Sequence, residues 1–210
     1  METDLPRDYD IVVYGATGFT GALVAEYLQT HHSEIRWAIA GRSLPKLASV
    51  KKQLGNTELP TIQADSGSDA DMARLAGATK VIISTVGPYA QYGTKLLEAC
   101  AAEGTHYCDL TGEPQWMAAV FEKVSDMAEE SGARLVHCCG FDSIPSDLGV
   151  FVAQKIMRER HGVYATHVSG RMGPSKGAVS GGTVASMLLA MEQGVNDPVA
   201  RKALNNPYAL

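Results

Sequence analysis

The sequence predicts an α/β protein built on a doubly wound parallel sheet, and three observations carry that expectation. Short β-branched runs alternate with stretches whose apolar residues fall three and four apart. Several of these runs, VIISTV at 81–86 most plainly, are continuously apolar, as strands covered on both faces are. The first run, at the start of YDIVVYGATGFTG, leads straight into Gly15, Gly18 and Gly21 and then into a helical pattern. With 210 residues, 45% of them hydrophobic, the chain has enough apolar material to bury a core.

Strands are expected at 10–14, 35–40, 61–64, 80–86, 105–109 and 134–138, with a helix in each interval. Helix punctuation agrees with these bounds. Ser43 precedes Leu44 and Pro45 as an N-cap with an early proline, and Gly104 and Gly132 close the helices before the fifth and sixth strands. After Phe141 the character changes. DSIPSD at 142–147 opens a helix to about residue 160, and 163–172 alternates like a half-buried strand. A loop rich in Gly and Ser spans 173–182, a helix follows over 183–193, and the tail adds one short helix. Two domains are therefore expected, a nucleotide-binding one over 1–141 and the start of a second over 142–210. No closing element ends the tail, so a truncated second domain is expected, and an open strand edge at 163–172 would favour a homodimer.

Composition excludes several function classes. A net charge of -5 with scattered Lys and Arg offers no basic stripe to a nucleic acid. The acidic start METDLPRDYD has no signal-peptide core, and the longest uncharged run, 177–191, is short and rich in Gly and Ser, so a soluble, cytoplasmic protein without a membrane span is expected. Cys100, Cys108, Cys138 and Cys139 show neither CxxC pairing nor zinc-finger spacing and read as buried free thiols, so no metal is expected. No Tyr is followed by Lys four positions later, which excludes the YxxxK pair of short-chain dehydrogenases, and neither an HExxH nor a GxxxxGK[ST] motif is present.

The glycines have a chemical reading in a Rossmann-type sheet. There the first strand must turn sharply while its backbone approaches a pyrophosphate, and a Cβ would obstruct the turn, the ligand or the helix packing. Gly15 makes the turn, Gly18 admits the phosphate and Gly21 lets the helix pack, leaving the loop of Ala16, Thr17, Phe19 and Thr20 to offer amides to the anion. The spacing is GxxGxxG, one variant of the dinucleotide fingerprint. The second strand bears on which nucleotide. No acid lies between Ile35 and Lys46 to bind a free ribose, whereas Arg42, Ser43 and Lys46 supply a guanidinium, a hydroxyl and an ammonium for a 2′-phosphate, so NADP is expected. Asp65, ending the third strand, is a candidate for the adenine amino group or for a helix cap.

The fourth strand reaches the carboxyl edge at Thr85, Val86, Gly87 and Pro88, the expected flank of the nicotinamide ribose. Tyr89 follows as the first candidate proton donor, and Tyr92, Asp109, Glu113, Asp142 and Ser143 gather at the same edge, where each could serve substrate, proton relay or helix cap. Nicotinamide supplies the difficult hydride step, leaving the protein to orient it and to manage one proton.

Six blocks in order, YDIVVYGATGFTG, AGRSLPKL, TVGPYAQYG, YCDLTGE, CGFDSIPSDLG and SGGTVASM, resemble the saccharopine dehydrogenase-like oxidoreductases, in particular the branch with the trans-acting enoyl reductases of mycobacterial lipid synthesis. The resemblance implies an NADP-binding domain, a second α/β domain supplying most of the substrate pocket, and a full length well beyond 210 residues. It also places Asp142 where saccharopine reductases carry an aspartate beside nicotinamide and substrate, although FDSIPSD departs from their glycine-rich version. The implied activity is NADPH-dependent reduction of an enoyl thioester, small or carrier-bound. The alternatives are imine or amine redox chemistry of the saccharopine dehydrogenase type and a non-catalytic NADP-binding sensor or assembly partner.

Overall fold

The computed structural model describes residues 6–174, 176–177, 180–206 and 208. Six parallel strands form one sheet in the order β3-β2-β1-β4-β5-β6. They are β1 Tyr9–Tyr14, β2 Trp37–Gly41, β3 Thr61–Gln63, β4 Thr79–Ser84, β5 His106–Asp109 and β6 Leu135–Val136. Strand order reverses between β1 and β4, whose register runs from Tyr9 opposite Thr79 to Tyr14 opposite Ser84. At such a switch point the loops leaving the two strands diverge and open a crevice at the carboxyl edge.

The pleat of β1 sorts its side chains between two cores. Val12 and Tyr14 join the cluster under α3 (Asp69–Gly77), α5 (Thr94–Glu103) and α6 (Pro114–Ser131), with Leu75, Leu97 and Val120 among its fully or nearly buried members. Val13 faces the opposite side with Ile39, Leu28 of α1 (Phe19–His31) and Leu47 of α2 (Leu44–Gln53). Ser43 caps α2 by accepting from the Lys46 amide, and Gly104 and Gly132 end α5 and α6 in the left-handed conformation at φ 69° and 78°.

Three expectations are corrected. Coverage of the VIISTV strand is uneven: Ile82 is fully buried, whereas Val81 and Ile83, on the other face by alternation, stay half-buried, because α1 and α2 lie over β1–β3. Residues 163–172 form no strand; they are an irregular, mostly exposed segment without a ladder partner, so the strand edge that suggested a homodimer is absent there. The thiols are free but not uniformly buried: Cys100 is enclosed, while Cys139 is exposed.

Beyond β6, the described residues contribute α7 (Ile144–His161), α8 (Gly181–Asn196) and α9 (Pro198–Asn205) and no strand. Helix α9 packs Ala200 and Ala203 against α6, whereas α7 buries no residue and leaves Leu148, Phe151 and Val152 exposed. Among the described residues no helix is long and apolar enough to cross a membrane.

Candidate functional site

The crevice above the switch point begins with main-chain atoms. Gly15 donates to Ala40 O at 2.9 Å and turns back at φ 92°, where a Cβ would stand 2.7 Å from both Thr85 Oγ1 and Val86 Cγ2. Gly21 presses on the Gly15 carbonyl so closely that a side chain cannot enter. Gly18 caps α1 and brings no side chain to its orphan amides. Its own amide is used internally, donating to Gly15 O at 2.9 Å, and Ala22 is the first residue of α1 to find a helical acceptor, Gly18 O at 2.9 Å. The amides of Phe19, Thr20 and Gly21, in the first turn, have no helical acceptor and lie at the positive end of a 13-residue helix.

A cleft of about 200 Å³ lies over this loop, lined by Gly15, Thr17, Gly18, Gly41, Arg42, Ser66, Thr85, Val86, Gly87 and Tyr92. It continues past Arg42 into two open depressions. One, of about 450 Å³, is bounded by Gln63, Asp65 and Arg74; the other, of about 550 Å³, by Asp65, Ser66, Gly67, Tyr92 and Lys95. Arg42 borders all three. Its exposed side chain enters no ion pair among the described residues, whereas nearby Arg74 is held by Asp71 at 2.8 Å and Gln63 O at 2.7 Å.

The other expected residues divide sharply. Ser43 spends its hydroxyl oxygen on the α2 cap, and Lys46, exposed on that first turn, lies outside the residues lining the cleft. Ala16 puts its methyl into the core and Phe19 points into solvent at 74% exposure, so their contribution to a ligand is confined to the backbone. Asp65 folds over its own turn, accepting from the Gly67 amide at 2.8 Å. Tyr92 lines the cleft together with Thr85, Val86 and Gly87 and also borders the depression on the Arg42 side with Asp65 and Ser66. Ser66 and Gly41 are lining residues that the sequence reading missed; only the register of β2 and β3 brings them to the cleft.

Tyr89 is not placed to give a proton to a ligand. It is 4% exposed, its hydroxyl donates to Ser84 O at 3.0 Å and accepts from the Leu110 amide at 3.4 Å, and its ring stacks on Trp116. Burial, followed by the nearby Asp109 carboxylate, pushes its phenol well above the ordinary value. Asp109 and Glu113 are equally committed, each 2% exposed. Asp109 accepts from Tyr107 Oη (3.0 Å), His137 Nδ1 (2.8 Å), and the amides of Thr111 (3.0 Å) and Cys138 (3.2 Å), which saturates a carboxylate. Glu113 accepts from the amides of Tyr89 and Ala90 and from Ser186 Oγ. Asp142 remains exposed on the turn before α7, with Ser143 half-buried beside it.

Residues 11–136, from within β1 to the end of β6, match the family model described as the saccharopine dehydrogenase NADP binding domain. The chain belongs to that family. Its cofactor is accordingly NADP(H), in keeping with an uncapped α1 start and an Arg42 guanidinium that has no ion-pair partner among the described residues. A protein of Mycobacterium tuberculosis H37Rv, bearing a trans-acting enoyl reductase name in provisional form, is 44% identical over 210 residues, 99% of this chain and 50% of that one. The trans-acting enoyl reductase of Mycobacterium leprae is 41% identical over 207 residues, 97% of this chain and 50% of that one. The chain thus spans about half the length of the curated relatives it matches. In fold it is similar to saccharopine dehydrogenase (L-Glu forming) of Saccharomyces cerevisiae, with a TM-score of 0.57 at 18% identity over 73% of this chain and 32% of that one.

Proposed function

We propose that the chain is the cofactor-binding part of an NADPH-dependent enoyl reductase that acts on an acyl thioester, presented by a carrier or partner protein. The observation that carries the cofactor half of this reading is the pairing of an uncapped α1 start with Arg42, which borders every branch of the cleft and is tied to no carboxylate among the described residues. The substrate half rests on the names of the mycobacterial relatives.

The backbone of 15–21 would hold the pyrophosphate, Arg42 the 2′-phosphate, and Ser66 and Tyr92 the walls of the adenosine side. Thr85, Val86 and Gly87 would flank the nicotinamide ribose, with Pro88 fixing the turn beyond it. When bound, the reduced cofactor supplies a hydride for the β-carbon of an enoyl group. Of the acids at 109, 113 and 142, only Asp142 has an exposed side chain, so Asp142, with Ser143, is our choice for the residue that exchanges a proton at the substrate side; 142–210 is taken as the beginning of the substrate region.

The test uses the full-length protein with NADPH deuterated at nicotinamide C4 and an enoyl thioester, free or on its carrier. Loss of NADPH absorbance with deuterium at the product β-carbon is expected. Turnover of imines alone would move the assignment to saccharopine dehydrogenase-type chemistry, and binding without turnover of either would make the protein a non-catalytic NADP sensor or assembly partner.

A further inference from the structure

We propose that Glu113 is a positioning residue through which α8 sets the loop on the nicotinamide side of the cleft. The inference rests on the reading above in one respect, that residues 85–88 flank the nicotinamide. Pro88 begins the short helix α4 (Tyr89–Tyr92) without a side-chain acceptor, so the amides of Tyr89 and Ala90 need a partner from elsewhere. Glu113 provides it. Oε1 accepts from Tyr89 N at 2.8 Å and Oε2 from Ala90 N at 2.9 Å, a two-pronged grip on the first turn after Gly87 and Pro88.

The carboxylate has a third partner from far along the chain. Ser186 Oγ, in α8, donates to Glu113 Oε1 at 2.8 Å. The same hydroxyl lies 3.8 Å from where a Cβ on Gly87 would stand, so α8 abuts the cleft loop as well as the residue that holds it. A second tie, Gln115 Nε2 to Gln193 Oε1 at 3.1 Å, fixes the other end of α8 to the same segment. Glu113 is itself braced from β5: its amide donates to Thr111 Oγ1 at 3.2 Å, and the Thr111 amide donates to Asp109 Oδ1 at 3.0 Å. A displacement of α8 therefore reaches Gly87 through one buried carboxylate, whose three donors leave it little freedom to compensate. A helix that lies outside the matched nucleotide-binding region is coupled in this way to the place where the cofactor's reactive end is read.

The test compares NADPH with adenosine 2′,5′-bisphosphate, which fills only the Arg42 side. Glu113→Gln keeps the size but turns an NH2 toward one of three donors; it should weaken NADPH about tenfold, the equivalent of roughly 1.4 kcal/mol, and leave the bisphosphate unchanged. Ser186→Ala removes one hydrogen bond and should weaken NADPH about threefold with the same selectivity. It decides the matter if the Glu113 variant fails to fold. Equal losses for both ligands would make Glu113 a structural cap, and unchanged NADPH binding in both variants would remove the coupling; either overturns the proposal. Failure of the unaltered protein to bind NADPH would overturn the cofactor reading instead.

Discussion

Arg42→Glu separates the two coenzymes most directly. The guanidinium is exposed and unpaired among the described residues, so no internal ion pair is lost when it is replaced and the fold should persist. At about 4 Å a unit charge pair is worth ~1 kcal/mol in water and ~4 kcal/mol at an effective dielectric constant of 20. An open cleft lies toward the lower end, about 1–2 kcal/mol. The swap removes that attraction and adds a repulsion of similar size, a total of about 2–4 kcal/mol, which lowers NADPH affinity roughly 30- to 1000-fold. NADH lacks the 2′-phosphate and should lose less than about threefold. Calorimetric titration of both coenzymes at two salt concentrations reads the effect, and the NADPH loss should shrink at high salt. Equal losses for NADH and NADPH would refute a 2′-phosphate role for Arg42.

Three further outcomes follow from the same geometry. Tyr89→Phe should cost about 1 kcal/mol of stability through the lost bond to Ser84 O while enoyl turnover keeps its kcat; a fall of about a hundredfold would restore Tyr89 as the proton donor. Gly15→Ala forces an L side chain to φ 92° and into Thr85 and Val86, and should cost about 1–3 kcal/mol, read as a lower Tm together with lost NADPH binding. Asp10 is held at about 2 by hydrogen bonds from Arg36 and then Lys80, below its ordinary 3.8. Because the folded value is depressed, its contribution is complete above pH 3.8 and disappears as pH falls toward 2. Asp10→Asn should flatten that part of the acid-unfolding curve, and an unchanged curve would show that the pair contributes nothing.

The sheet was legible because its signals are local. Glycines 15, 18 and 21 and the cap at Ser43 act within a few residues of themselves, and all six expected strands agree with the structure to within two residues at each end. The fate of the acids was not legible. Asp109 and Glu113 are engaged by donors from Cys138, His137 and Ser186, which are 28 to 73 residues away, and no pattern in DLTGE announces them. The alternation at 163–172 misled for a related reason: period-two spacing proposes a strand, but a ladder needs a neighbour, and the described residues offer none. That Tyr92 borders the Arg42 side as well as Thr85, Val86 and Gly87 was invisible in the sequence, because it depends on a four-residue helix after Pro88.

On the proposed reading the Gly15 to Gly21 loop would grip the diphosphate chiefly through its main chain, and this has a consequence for how the protein can vary. Peptide amides are the same whatever side chains accompany them, so drift at Phe19 or Thr20 would leave such a grip intact, while a methyl at Gly15 or Gly21 would collide with the loop and the residues packed on it. Coenzyme choice and diphosphate anchorage would then be written in different places, one in a replaceable arginine and the other in backbone shape. A lineage could exchange one nicotinamide coenzyme for the other by altering the end of β2, without disturbing the turn after β1.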